Sequence, residues 1–364
     1  MRRLLRLLPL PRTHARGLRA RLALLTAAVT TAALALVATD RPPSTPTPAN
    51  ARSSPVSAAT SPIGAADAPQ EATATGSGTP ASPMRVLRQR VVFIDRSDQH
   101  SGAPEVMADT GILVDIDRRS ILWERSPHLA HPPASTAKLL TALVTLENFD
   151  PEREVTITPD ALGQAKDETV MGIAAGQSYT VGELLDGMLL PSGNDAATAL
   201  AADTVGLEQF VAAENLQLGA LGLHDSHVVT PVGLDDPAQQ ISAYDLAAVA
   251  VADLEHFPLF SQIVAQTDVQ LAATPGHPAF HLANLNRLLR LYPGVRGIKP
   301  GYTGDAGPCL VGLAERDGHR LIAVLMGAPR LYTDDRALLD WGFAQEGLAP
   351  LLSPTPSPKP TPHS

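Results

Sequence analysis

The apolar positions of this chain change period several times, and each change predicts an element. Residues 111–117 and 120–124 are two short apolar-rich runs around the charged pair Arg118 and Arg119, the pattern of a β-hairpin. Pro132 and Pro133 stop any helix upstream. Beyond them Leu139, Leu140, Leu143, Val144 and Leu146 recur at helical spacing, so a core-facing helix is expected to begin near Ser135. Thr180 and Glu183 make the sequence pattern of a capping box ahead of Leu184, Leu185, Met188 and Leu189, which predicts a second helix. Pro191, Ser192, Gly193 and Asn194 interrupt it. Helical texture resumes over residues 195–203, 207–218 and 243–254. After Gly297 the period shortens: residues 309–314, the turn pair Asp317 and Gly318, and residues 320–326 predict a second hairpin, and 331–344, carrying Trp341, a closing helix. Strands, then helices, then strands and a helix make an α+β arrangement rather than an alternating βαβ chain.

The two ends read differently. Arg2, Arg3, Arg6, Arg12, Arg16, Arg19 and Arg21 precede the first acid, Asp40, and are followed by an uncharged, Ala-rich apolar run over 22–38. Its length falls between a signal-peptide core of about 7 to 15 residues and a membrane span of about 20, so a cleaved signal and a retained anchor both stay open for residues 1–38. Arginines stay on the cytoplasmic side, so the rest is expected to be exported: extracytoplasmic, held to the membrane by its N-terminus or secreted. Residues 39–84 are rich in Pro, Ser, Thr and Ala and read as a disordered spacer, and 353–364 as a second Pro-rich tail. A domain is expected over 85–352.

Composition narrows the function. The chain has 364 residues, 44% of them hydrophobic, with mean hydropathy +0.03, so disorder throughout is excluded. Its formal net charge is −9, more negative still without the N-terminal arginines, which argues against a nucleic-acid partner. One cysteine, Cys309, excludes an intramolecular disulfide and any multi-cysteine metal site, and reads as packing. His224 and His227 lack a third ligand at a recognisable spacing and read as surface residues; no metal or other cofactor is expected. Trp123 and Trp341 read as packing.

Lysine is the informative residue, since the chain holds only Lys138, Lys166, Lys299 and Lys359. A desolvated lysine can lose its proton and act as a base, whereas arginine cannot. Lys138 lies three residues after Ser135, on the same helical face, and a serine at a helix start gains from free backbone N–H groups. Alone, that S-x-x-K match is weak. Ser192 and Asn194 follow as S-x-N in a loop between helices, offering a hydroxyl to relay a proton and an amide to hold a carbonyl, and Lys299 and Gly301 as K-x-G before the last hairpin. The bland alternatives are a polar turn and a solvated strand-end charge. The three in this order are far more specific than any one.

With these motifs the sequence resembles the serine D-alanyl-D-alanine carboxypeptidases, the low-molecular-mass penicillin-binding proteins that trim peptidoglycan. Blocks 131–138, 189–197, 233–237, 242–246 and 297–307 carry the resemblance, which runs from about 110 to 344. It implies the β-lactamase/transpeptidase-like fold, an antiparallel sheet beside a helical lobe with the active site in the cleft between. It also implies Ser135 as nucleophile, Lys138 as its base and Ser192 as proton relay. Asn194, Lys299, Gly301, Tyr302 and Thr303 would bind a stem peptide ending in D-Ala-D-Ala, with the N–H groups of Ser135 and Tyr302 holding the oxyanion and β-lactams acting as covalent inhibitors. Two departures stand out. Pro300 replaces the usual threonine of K-T-G, leaving carboxylate recognition to Lys299, Thr303 or another group, and the chain ends before a β-rich second domain. The alternatives are a β-lactamase on the same scaffold and a catalytically impaired cell-wall binding protein, the latter motivated by Pro300. For the lactamase no glutamate lies in a recognisable loop: Glu168 and Glu183 are the nearest acids, and Glu183 reads as a cap.

Overall fold

The computed structural model describes residues 84–351. The expected segment 1–38, the spacer apart from Met84, and the tail 353–364 lie outside the described residues.

The sheet that organises the fold has six strands in the order β1-β3-β2-β10-β9-β8: β1 (Ile94–Asp95), β2 (Thr110–Asp115), β3 (Ser120–Arg125), β8 (Val295–Thr303), β9 (Gly307–Arg316) and β10 (His319–Met326). All neighbours are antiparallel except the short β1, which pairs in parallel with β3. Both expected hairpins form, β2–β3 and β9–β10, and the pairing of β2 with β10 joins them in mid-sheet.

Between the hairpins the chain builds a helical lobe: α1 (Lys138–Asn148), α2 (Val181–Leu189), α3 (Asn194–Ala202), α4 (Leu207–Leu221), α5 (Ala243–His256) and α6 (Pro258–Ala265). It also carries two small hairpins, β4 (Glu154–Thr156) with β5 (Ser178–Thr180) and β6 (Asp268–Leu271) with β7 (Phe280–Ala283), and the single turn α7 (Leu288–Leu291). Helix α8 (Leu331–Gln345) closes the chain on the opposite face. Alternation along the strands explains these layers, because successive side chains point to opposite faces. Ile322, Val324 and Met326 of β10 join the core shared with Leu139, Leu140 and Leu143 of α1, while Leu321, Ala323 and Leu325 meet Leu338, Leu339 and Phe343 of α8. Truncating one such buried leucine to alanine costs about 2 to 5 kcal/mol.

The capping box forms as expected. Thr180 Oγ1 accepts from the Glu183 N–H at 3.1 Å, and Glu183 Oε2 accepts from the Thr180 N–H at 2.8 Å. Two features differ from the expectation. Ser135 does not lie in the α-helix but in a 3-10 turn, Ala134–Ala137, that hands over to α1 at Lys138. The two prolines upstream and the left-handed Ala134 (φ 49°) set this tighter entry. Lys299 precedes the last hairpin as expected, but on a strand that the pattern did not show: it lies buried within β8, the edge strand, and not at a solvated strand end. Gly297, Pro300 and Gly301 hide that strand from propensity, and its position at the sheet edge is where a proline is tolerated.

Candidate active site

The site lies where β8, the 3-10 turn, α1 and the α2–α3 junction converge. The turn presents Ser135, half-buried, and is tied by the Thr136 hydroxyl, which donates to the Pro133 carbonyl at 2.6 Å. One residue after the turn's end, Lys138 is fully buried, and its Nζ has three acceptors: Ser135 Oγ at 3.0 Å, Asn194 Oδ1 at 2.7 Å and the Val232 carbonyl at 3.0 Å. Three acceptors match the three N–H groups of an ammonium. Burial and then the facing Lys299 hold the amine well below the usual lysine range, against smaller upward pulls from Glu168 and Asp195. A neutral amine turns the Ser135 contact around: the hydroxyl donates and Nζ accepts.

Lys299 is also fully buried. Its Nζ donates to the Pro300 carbonyl at 3.1 Å, and burial pulls it down to about 7. Gly301, two residues on, is where β8 touches the turn that carries Ser135: a Cβ there would sit 2.9 Å from the Ser135 nitrogen and 3.0 Å from the Ala134 Cβ. Gly233, at φ 81°, makes a similar approach from the other side, since a Cβ would fall 1.9 Å from the Ala134 carbonyl oxygen. Tyr302 is 72% exposed at the mouth of the site, and Thr303 Oγ1 accepts from the Ala306 N–H at 3.2 Å in the β8–β9 turn, its own proton left to donate.

Ser192 and Asn194 come from the break between α2 and α3. Ser192 is nearly buried in a left-handed conformation, φ 66°, and its Oγ has no hydrogen-bond partner among the described residues. A non-glycine residue held there costs about 1 kcal/mol or more, which the surrounding contacts offset. Thr169 Oγ1 donates to the Ser192 carbonyl at 2.9 Å, and the Asn194 N–H donates to the Thr169 carbonyl at 2.8 Å. Asp195 then accepts from the N–H groups of Met171, Gly172 and Ile173 at 2.7, 2.7 and 3.1 Å. The loop before β5 is thus stitched to the start of α3, fixing the unusual turn.

All eight residues singled out by sequence fall on the elements that form this cleft, and direct contacts connect Ser135, Lys138 and Asn194. Sequence reasoning missed the Val232 carbonyl and Asp195, and it named Glu168 only as a nearby acid, without its contact with Asn194. Asp195 stands in a block already noticed, next to Asn194. Glu168 carried no local signal: it reaches Asn194 only because the loop folds back, and its Oε2 accepts from Asn194 Nδ2 at 2.5 Å.

Other groups are engaged elsewhere. Cys309 is buried, its thiol pushed up to about 12 by desolvation and its Sγ 3.6 Å from the Ala306 carbonyl oxygen. His224 and His227 are exposed. Among the described residues, Asp115, His319 and Glu346 bring potential ligand atoms within 4.8 Å of one another, but the Arg118 guanidinium already bonds both carboxylates, Asp115 at 2.6 Å.

The profile of the D-alanyl-D-alanine carboxypeptidase family matches residues 97–330. The chain is 38% identical over 249 residues to the D-alanyl-D-alanine carboxypeptidase DacB2 of Mycobacterium tuberculosis, covering 66% of this chain and 84% of that protein. It is 32% identical over 253 residues to DacF of Bacillus subtilis, a D-alanyl-D-alanine carboxypeptidase of which it spans 64%. Among solved structures, a D-alanyl-D-alanine carboxypeptidase from M. tuberculosis superposes with a TM-score of 0.62 at 36% identity, covering 70% of this chain and 95% of that one. The Streptomyces K15 DD-transpeptidase superposes with a TM-score of 0.62 at 26% identity, covering 67% of this chain and all of the other.

Proposed function

The chain belongs to the D-alanyl-D-alanine carboxypeptidase family, and from that membership we propose that it is a serine hydrolase removing the terminal D-alanine from peptidoglycan stem peptides through an acyl-enzyme on Ser135. The observation that carries the reading is the buried Lys138 amine 3.0 Å from Ser135 Oγ, with Lys299 opposing its protonation.

Neutral Lys138 takes the Ser135 proton as Oγ adds to the carbonyl carbon between the two D-alanines. The N–H groups of Ser135 and Tyr302 face the developing oxyanion. The C–N bond then breaks, the leaving amine receives a proton through the unpartnered Ser192 hydroxyl, and D-alanine departs. Water adds to the ester, gives its proton to Lys138 and releases the shortened peptide, restoring the Ser135 hydroxyl. Asn194 positions the peptide carbonyl. Lys299, with Gly301 admitting the substrate close to the turn and Thr303 donating, takes the terminal carboxylate.

The substrate is extracytoplasmic, which fits export by residues 1–38 as leader or anchor; among the described residues no helix is long and apolar enough to cross a membrane. Fluorescent penicillin followed over time, beside D-alanine release from a peptide ending in D-Ala-D-Ala, tests the reading. A lasting adduct on Ser135 with D-alanine released is the expected result. Rapid turnover of the adduct makes the protein a lactamase, and neither labelling nor release makes it a binding protein.

A further inference from the structure

Asn194 sits between two unlike neighbours. Its Oδ1 accepts from Lys138 Nζ at 2.7 Å and its Nδ2 donates to Glu168 Oε2 at 2.5 Å. A carboxylate only accepts, so Glu168 takes the NH2 side of the amide and leaves Oδ1 to accept from Lys138, whose amine keeps N–H groups to donate whether charged or neutral. Glu168 is fixed from behind: its Oε1 accepts from the Ala165 N–H at 2.8 Å, and its own N–H donates to the Ala165 carbonyl at 3.1 Å. The next residue, Thr169, holds the backbone of both Ser192 and Asn194. Glu168 therefore stands on a tied part of the loop, one side chain removed from Lys138.

We propose that Glu168 is a positioning residue of this site: it turns the Asn194 amide so that Oδ1 faces Lys138, and it sets a counter-charge against Lys299 across the buried amine. The proposal rests on the carboxypeptidase reading of the site and adds a residue to it. The groups around Lys138 give the electrostatic balance. Lys299 from β8 opposes its protonation, while Glu168 from the loop and Asp195 from α3 favour it. From α4, Glu214 bonds Thr141 one helical turn on, and burial pushes its carboxyl up to about 8, so it is neutral at pH 7. Of the other acids on helices packed against α1, Asp245 of α5 accepts from Ser226 at 2.7 Å, burial raises Asp253 of α5 well above the carboxylate range, and burial lifts Asp186 of α2 to about 6. Glu183 of α2 is engaged by Thr180 and His277. Asp195 is committed to three backbone N–H groups of the loop, which leaves Glu168 as the acid whose carboxylate is aimed at the Asn194 amide.

The test measures the acylation rate of the full chain by fluorescent penicillin from acid to alkaline pH. Labelling of the wild-type chain at Ser135 comes first; its failure would count against the carboxypeptidase reading itself. Glu168→Ala loses both contact and charge, and its plateau rate falls about 10-fold, the effect of one lost charge-assisted hydrogen bond. Glu168→Gln keeps an acceptor for Asn194 and recovers part of that loss. In both, removing the anion makes Lys138 easier to deprotonate, so the acid limb of the profile moves to lower pH by about half a unit or more. Glu168→Asp keeps the charge at a shorter reach: its plateau falls while its acid limb stays. Thermal unfolding of each variant shows whether the loop remains seated. An acid limb in Glu168→Gln that superimposes on the wild type overturns the proposal, because a residue that only ties the loop would lower rate or stability without moving it.

Discussion

The cleft and the α8 face of the sheet both bury ionisable groups, with opposite consequences. In the cleft, Lys138 and Lys299 are fully buried, and Lys138 is met by a hydroxyl, an amide oxygen and a carbonyl. On the α8 face Asp335 is equally buried, lies against Gly312, and neither carboxylate oxygen has a hydrogen-bond partner among the described residues. Its neighbour Asp334 pairs with Arg330 at 3.1 Å and accepts from the Met107 N–H at 2.7 Å. Desolvation favours the neutral form in either place: Asp335 is held protonated well above the carboxylate range, Lys138 is held well below the lysine range, and Lys299 is pulled down to about 7. Only in the cleft does the neutral form meet a group it can act on. Burial supplies the altered proton affinity, and placed neighbours turn it into chemistry.

Substitutions can break this contrast at its centre. Ser135→Ala removes what the neutral lysine acts on, and both penicillin labelling and D-alanine release should vanish; retained labelling would put the nucleophile elsewhere. Lys138→Arg keeps a cation that cannot give up its proton. Acylation should fall by about 10² to 10⁴, the usual contribution of a general base, as read by stopped-flow or timed labelling.

The next test sharpens the contrast through pH. Burial pulls Lys299 down to about 7, so kcat/KM should decline on the alkaline side from about that value if this charge receives the substrate carboxylate. A bound carboxylate favours the ammonium, so the alkaline limb of kcat should lie at higher pH than that of kcat/KM. Coincident limbs in the two profiles would remove Lys299 from carboxylate recognition. Pro300→Thr probes the same contact. Restoring a hydrogen bond to a charged group could raise kcat/KM by roughly 10- to 150-fold, yet Lys299 and the Thr303 hydroxyl already face that task, and the expected result is little change. A large gain would show that the contact had been missing.

The last effect belongs to the α8 face and is read as stability, not as rate. Asp335 binds its proton more tightly folded than unfolded, so its contribution is full below the unfolded carboxylate range and is lost as pH rises toward the folded value, by up to about 1.4 kcal/mol per pH unit. Asp335→Asn removes that slope. Its stability relative to the wild type should improve from pH 5 to pH 8 in denaturant melts; a difference constant with pH would mean that Asp335 is not protonated in the fold.

Much of this was legible in the sequence. The hairpins, the capped α2 and the closing α8 follow from period and caps, and the three motifs mark their elements because each keeps its residues within a few positions of one another. What escaped depends on long-range return of the chain. Glu168 meets Asn194 through a loop held by Asp195, and β8 escaped because its glycines and proline look unlike a strand. One of those residues, Gly301, admits the turn that carries Ser135, so the requirement of the site concealed the element that carries it.

The pairing of β2 with β10 has a consequence for how the protein is made. The first strands of the sheet and the last are neighbours, and between them the chain builds the helical lobe, β8 and β9. A chain emerging N-terminus first, from a ribosome or through a translocation channel, therefore presents Ser135 and Lys138 long before the strand bearing Lys299 can be held in place. Such distant pairings form late, after the cost of closing a large loop has been met. The cleft is thus assembled by the final hairpin, and an unfinished chain carries Ser135 and Lys138 without Lys299 set against them.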